Sequence, residues 1–411
     1  MARATSYDDW NFMGEAQKDD LRTRIVRPAK LQQINNQRNS FIFLCAVILL
    51  TFMGLVCVYT ASFQTAVANG LPHYYFLLRQ GIYVAIGIAL MIVVNTVPEL
   101  FLRVLSPIMF FTCIILLGID TALGKSYLMN SDTVSILFFS GIMYMSLYFA
   151  GRGNHIDRIR QLIVPVLGCV IVMVLILLHH NFSYALMFIA MCVTMFAVGG
   201  VGLFGVILLL LYAAVPIVCI ILSKSERILA VARFFIPGLG SNPRTSDIMA
   251  VKSAIASGSW FGKGLGGGIF KLGMISDISG KNILACIGEE LGFWGVLMIC
   301  LFFALYAFVG YMAAKNIRRQ NGFFSNLALG ATTMVVWQFI LNIAWTLGYI
   351  PGDGLPMPFF SYGTNVIVML FTSGIIYRIT RAKMSADDGE KVIESIQDEL
   401  MFPERYDFEN T

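Results

Sequence analysis

Charge is what this sequence has least of. Asp, Glu, Lys and Arg make up 13% of its 411 residues, about half their share in a soluble domain. That shortage excludes a soluble enzyme and a charge-rich disordered chain. No fibrous repeat and no internal duplication is visible, which counts against the common inverted-repeat transporters. The eight cysteines (45, 57, 113, 169, 192, 219, 286 and 300) all lie in apolar runs. They form no disulfide framework and no metal-ligand spacing, and read as small core hydrophobes. No cleavable signal peptide precedes the first apolar run, because residues 1–40 are polar and mixed in charge. What is there is apolar: 57% of the residues are hydrophobic and the mean hydropathy is +0.75. These values describe an all-α polytopic membrane protein.

A bilayer core takes about 20 apolar residues of helix to cross. Ten spans meet that requirement, at 41–63, 76–96, 103–120, 134–150, 161–179, 183–200, 203–223, 283–312, 324–348 and 362–380. Spans six and seven are joined only through Gly199, Gly200 and Gly202, and the eighth is long enough to tilt or to project from the membrane. Basic residues set the orientation. One side holds seven of them in 1–40, then Arg103, Arg152, Arg158, Arg160, Lys315, Arg318, Arg319 and five after residue 377; the short loops of the other side hold only Arg79 and Lys125. Both termini are therefore expected in the cytoplasm. The chain divides into an N-terminal tail (1–40), spans one to seven (41–223), a large extracytoplasmic loop (224–282), spans eight to ten (283–380) and a C-terminal tail (381–411).

The large loop carries Lys224, Arg227, Arg233, Arg244, Lys252, Lys263, Lys271 and Lys281 against Glu226, Asp247 and Asp277. Such a surplus attracts an anionic lipid headgroup or a diphosphate. The plainer reading is a solvated, partly amphipathic loop on the membrane surface, and from charge alone it stands first. Membrane lipid is a partner on either reading; nothing points to nucleic acid. The tail after 384 is acidic and polar, with a short helical pattern near Val392–Met401.

Three stretches stand apart. Ser253–Gly268 is too rich in glycine and serine for a lipid-facing helix. Its exposed amides beside Lys263 suit phosphate oxygens, or else its glycines serve packing in a re-entrant turn. In Ile287–Gly295, Glu289 and Glu290 open a long apolar run. A carboxylate at membrane depth faces a cavity or a partner. Neighbouring helical residues point about 100° apart, so one glutamate is expected to face inward and the other the water boundary. Orienting a catalytic group, relaying a proton, or satisfying loop amides near a helix start all fit. In Gly348–Asn365, three prolines and four glycines describe folded loop or broken helix entering the membrane, with Ser361, Tyr362 and Thr364 as hydrogen-bonding groups; a rigid cap on the bundle is the alternative.

Together these stretches resemble the SEDS family (FtsW, RodA, SpoVE) of shape, elongation, division and sporulation proteins. The family pattern G-L-L-P-T-T-G-L-P-L-P-F-I-S-Y-G-G is matched over 348–364, with Pro351, Gly354, Leu355, Pro356, Pro358, Phe359, Ser361, Tyr362 and Gly363 in place. Ser253–Gly266 echoes S-x-I-A-x-G-S-G-x-x-G-x-G-L-G, and Gly288–Gly292 echoes A-E-E-L-G. Tyr59, Ala61 and Ser62 resemble the Y-S-A-S that ends the first span, Arg79-Gln80 the R-Q that opens the second, and Arg233 with Pro237 the R-x-x-x-x-P entering the large loop. The resemblance covers about residues 41–382. It implies a peptidoglycan glycosyltransferase that polymerises lipid II, an undecaprenyl-diphosphate sugar, on the outer face of the bacterial cytoplasmic membrane beside a class B penicillin-binding protein. The 4-hydroxyl of one disaccharide would attack the anomeric carbon of another, with undecaprenyl diphosphate leaving. Such chemistry asks for a base and for positive charge on the diphosphate. No cofactor is fixed by the resemblance; a divalent cation is compatible with it, though no metal ligands are assigned.

The sequence also departs from the family. The family's proposed base is an Asp in H-T-D-F, eight residues before the first Glu of E-E-L-G; that position is Lys281. A protonated lysine accepts no proton, and only strong burial would make it basic. Asp277 lies four residues earlier. P-D-L-G appears as His180-Asn181-Phe182-Ser183, N-G-A-x-R-W has no counterpart near Ala122–Asn130, Q-P-S-E-x-x-K is unrecognisable around Asp132–Ile142, and Y-Q-x-x-Q-S reads Ile248 to Ser253. Three functions follow: a divergent polymerase with Asp277 or Glu290 as acid/base, a pseudoenzyme that scaffolds a cell-wall complex, or a lipid-linked-precursor transporter. The candidate catalytic positions are Lys281, Asp277, Glu289 and Glu290. Arg233, Lys252 and Lys263 are candidate diphosphate-facing cations, and Ser361 and Tyr362 candidate substrate-binding groups.

Overall fold

The computed structural model describes residues 15–123, 134–151, 159–178, 182–199, 214, 243–271, 273–318, 321–350 and 354–381. Among them are ten helices and no strand: α1 Glu15–Ala68, α2 Tyr75–Val93, α3 Glu99–Leu123, α4 Val134–Ala150, α5 Ile159–Leu178, α6 Phe182–Val198, α7 Pro243–Ser257, α8 Ile283–Ile317, α9 Gly322–Thr346 and α10 Asn365–Arg381. Nine of the ten expected spans coincide with a helix. The seventh, 203–223, apart from residue 214, and the loop residues 224–242 lie outside the described residues. The helix α7 belongs to the large loop.

The chain forms two compact units, residues 1–42 with 380–411, and Phe43–Ile379. In the first, the described helix runs to Ile42, and Ser40 Oγ donates to the Gln37 carbonyl at 2.8 Å. The second unit holds the bundle and the large loop's described residues.

Helical spacing decides which faces are buried. On α1, Phe43, Val47, Leu50, Val58 and Ala61 are buried while Ile48, Leu49 and Phe52 are exposed, the division expected of a helix with protein on one side and lipid on the other. Among the described residues, five helices are long and apolar enough to cross a membrane: residues 37–68 of α1, then α2, α3, α8 and α9. Shorter apolar helices lie at Val134–Ala150, Pro165–Leu178 and Ser183–Ala197. The most enclosed of the five is α9, which packs against α8, α4 and α6. Phe303 of α8 and Phe339 of α9 stack with ring centroids 3.9 Å apart. At Gly310 of α8 a Cβ would lie 2.1 Å from Thr332 Oγ1, so the small residue sets the approach of the two helices. Asn321 caps α9, its side chain accepting from Phe324 N at 3.1 Å.

Candidate functional site

The long eighth span is not one continuous helix. Gly292 adopts φ 66°, ψ −164°, a left-handed φ that glycine tolerates without penalty. The break undoes the two helical bonds that would have run from Phe293 N to Glu289 O and from Trp294 N to Glu290 O. All four freed groups are taken up by the glycine-rich loop that follows α7. Lys263 N donates to Glu289 O at 3.0 Å and Gly264 N to Glu290 O at 3.0 Å, while Phe293 N donates to Ser259 O at 3.0 Å and Trp294 N to Trp260 O at 3.2 Å. Loop and broken helix are thus spliced through their backbones, which is how non-helical chain is tolerated at membrane depth. Gly262 sits inside the splice at φ 75°, and a Cβ there would lie 2.1 Å from Glu290 O.

The splice buries both glutamates, where only one was expected to face inward. Side-chain exposure is 1% for Glu289 and 2% for Glu290. The reason is that α8 begins at Ile283, so the pair lies within a helix whose remaining face the loop covers. Each carboxylate holds a lysine. Glu289 Oε1 accepts from Lys263 Nζ at 2.8 Å and from Ile269 N at 2.7 Å, and Oε2 from Phe270 N at 3.2 Å. Glu290 Oε1 accepts from Lys271 Nζ at 2.7 Å. Lys271 also donates to Gly266 O at 3.0 Å and, across to α1, to Thr60 O at 3.3 Å. Lys271 is 8% exposed and Lys263 28%. Lys263 therefore serves Glu289 first, and Lys271, counted earlier only among the loop cations, is the more deeply placed lysine.

Asp277 is exposed, with φ 47°, a conformation Asp visits because its short side chain bonds locally. Its Oδ2 accepts from Lys281 N at 3.1 Å, and its carbonyl accepts from Gly280 N and Asn282 N. It caps the turn that leads into α8. Lys281 is half-buried and makes no ion pair among the described residues; its carbonyl accepts from Asn342 Nδ2 at 3.0 Å. Lys252 is exposed on α7. Arg233 lies outside the described residues.

The last motif is held by three buried amides. Gln80 Nε2 donates to Ser361 O at 3.3 Å and Gln80 Oε1 accepts from Gly363 N at 3.0 Å. Gln338 Nε2 donates to Pro356 O at 2.8 Å, and Asn342 Nδ2 to Leu355 O at 2.6 Å. Ser361 Oγ accepts from Met357 N at 2.6 Å and donates to Gly280 O at 2.7 Å, and Tyr362 N donates to Ser279 O at 2.9 Å. Ser361 thereby locks the proline-rich loop against the Asp277–Lys281 turn. Tyr362 stands half-buried, edge-on to Phe76 at 5.1 Å. Gln338 and Asn342 were missed in the sequence, although amides one turn apart inside an apolar span were a usable signal.

A divalent cation finds no donor set here. Among the described residues no three His, Cys, Asp or Glu side chains converge. Glu289 and Glu290 are engaged by lysines and Asp277 by a backbone amide, whereas a hard dication takes several oxygen ligands.

The family described as "Cell cycle protein", FtsW/RodA/SpoVE, matches residues 40–385. The chain belongs to this family. The probable peptidoglycan glycosyltransferase FtsW of Borreliella burgdorferi is 28% identical over 369 residues, 85% of this chain and 98% of the relative. Stage V sporulation protein E of Bacillus subtilis is 26% identical over 350 residues, 81% of this chain and 94% of that one. Among solved structures, a chain of "Structural coordination of polymerization and crosslinking by a peptidoglycan synthase complex" superposes with a TM-score of 0.67 at 19% identity, covering 84% of this chain and 98% of the other. That likeness carries the fold, a multi-pass membrane bundle. The FtsW/RodA/SpoVE chain described here carries Lys281 where the resemblance expects an Asp.

Proposed function

We propose that this protein handles lipid II, or a related undecaprenyl-diphosphate sugar, in the peptidoglycan synthesis of growth, division or sporulation, beside a class B penicillin-binding protein. The observation that carries this reading is the family match over residues 40–385, together with relatives named peptidoglycan glycosyltransferase. Both termini are proposed to be cytoplasmic, and the turn at Asp277–Lys281 then faces outward with the glycine-rich loop. In that arrangement Lys281 and Lys252 are the cations open to a diphosphate, with Lys263 shared between the loop and Glu289.

A second reading, impaired catalysis, is favoured by one observation. Glu289 and Glu290 each hold a lysine, and Asp277 caps a turn. Glycosyl transfer by the family's expected route asks for a carboxylate poised against the attacking hydroxyl, and the committed carboxylates do not supply it. The test is lipid II polymerisation by the purified protein, with and without its cognate penicillin-binding protein, beside Lys281→Asp and Asp277→Asn. Glycan from the wild type supports an active polymerase, and its loss in Asp277→Asn assigns the base. Glycan only from Lys281→Asp supports a preserved cavity with a lost base. Silence from both overturns the transferase reading and leaves scaffold or transporter.

A further inference from the structure

We propose that the glycine-rich loop is a membrane anchor: Trp260, Phe261, Leu265 and Ile269 insert at the boundary between phospholipid headgroups and acyl chains. Beyond the break at Gly292, exposed side chains return every three to four residues, at Trp294, Met298, Leu301, Ala304, Phe308 and Tyr311. This is a lipid-facing stripe. From Trp294 to Lys315 the helix rises about 30 Å, the thickness of a hydrocarbon core. Trp294 therefore marks one boundary, and Tyr311 with Lys315 the other, where aromatic and basic residues concentrate.

The loop is fixed at the first boundary. Its Ser259 and Trp260 carbonyls are bonded to Phe293 N and Trp294 N, and the Trp260 ring stands edge-on to Phe293 with centroids 5.2 Å apart. Yet Trp260 is 62% exposed and Phe261 83%, and Leu265 and Ile269 are exposed beside them. Four large apolar side chains in ten residues are thus exposed, and Trp260 joins this segment to the α8 stripe through Phe293. Left in water such a patch is costly; at the interface it is stabilising. Exposed Lys252 and the partly exposed Lys263 place cations where anionic headgroups lie. The consequence is positional. Glu289 and Glu290, about one helical turn before Trp294, are held in the headgroup layer, so lipid borders the site independently of any glycan chemistry.

The test uses the full-length protein in nanodiscs of phosphatidylcholine and phosphatidylglycerol. A fraction of the lipid carries bromine on the upper acyl-chain carbons, and iodide serves as the aqueous quencher. Trp260→Phe is expected to remove emission that bromine quenches and to leave the iodide-quenched emission unchanged; Trp294→Phe gives the reference for the same depth. Phe261→Trp, which adds a fluorophore to an otherwise intact loop, is expected to add bromine-quenched, blue-shifted emission. If the emission lost or gained at 260 and 261 is instead quenched by iodide, the loop stands in water and the proposal falls. If neither quencher reaches it, protein covers the patch, a second copy or a partner helix, and the lipid anchor is equally overturned.

Discussion

Lys271 is one residue on which the site turns. It donates to Glu290, Gly266 O and Thr60 O from a nearly closed pocket. Removing one member of a buried pair leaves the other uncompensated, a loss of about 3–5 kcal/mol. Lys271→Met is therefore expected to lower the thermal midpoint of the detergent-solubilised protein sharply, and Glu290→Gln in the same chain to restore part of it. Lys263→Met is expected to cost less, because its side chain is 28% exposed and water partly replaces the bond. A midpoint unmoved by Lys271→Met would show that the pair does not form. Ser361→Ala removes one acceptor and one donor from the bonds to Met357 N and Gly280 O, at about 2 kcal/mol for the buried groups left behind; the same scan reads it. In the sequence Glu289 and Glu290 stand out because a carboxylate at membrane depth is costly without a partner, Lys263 because it lies beside glycine-rich amides that suit phosphate, and Ser361 as a hydrogen-bonding group in the proline-rich stretch. The sequence did not say with what they pair. Lys271 and Glu290 are brought together only when the loop folds onto α8, and a cation in a glycine-rich stretch reads equally well as solvated or buried.

At the scale of elements, the spacing of apolar residues located the membrane helices, since a length of about 20 apolar residues has few other uses. The same reasoning treated 283–312 as a single span. Nothing in apolar periodicity reports the break, because Gly292 keeps the run uninterrupted in hydropathy while reversing its φ. The break acts through its splice with the glycine-rich loop, which makes Gly262 a sensitive position. Alanine at a left-handed φ costs about 1–2 kcal/mol, and its Cβ would also collide with Glu290 O. Gly262→Ala is expected to free the loop, so that the amides of Lys263, Gly264, Phe293 and Trp294 exchange with deuterium faster while those of α9 stay protected. Unchanged exchange at Phe293 and Trp294 would mean that the splice does not hold these amides.

At the scale of the whole molecule, the buried amides and the splice converge on one end of the bundle. Gln80 of α2 and Asn342 of α9 meet the proline-rich loop, Ser361 meets the Asp277–Lys281 turn, and Lys271 reaches α1. The side of the membrane this end is expected to face is argued from charge. Basic residues crowd the N-terminal tail, the tail after 377 and the loop at Lys315–Arg319, and short basic loops stay in the cytoplasm. The large loop is basic too, but loops of that length cross regardless of charge. The converging end should then lie outside. A fluorescent protein fused after Thr411 is expected to mature and fluoresce. Lys252→Cys, placed on the exposed face of α7, is expected to react with a membrane-impermeant maleimide in intact cells, above the level of the wild type. Labelling that appears only after the cells are opened would invert the topology, and Lys281 and the spliced loop would then face the cytoplasm, away from any growing wall.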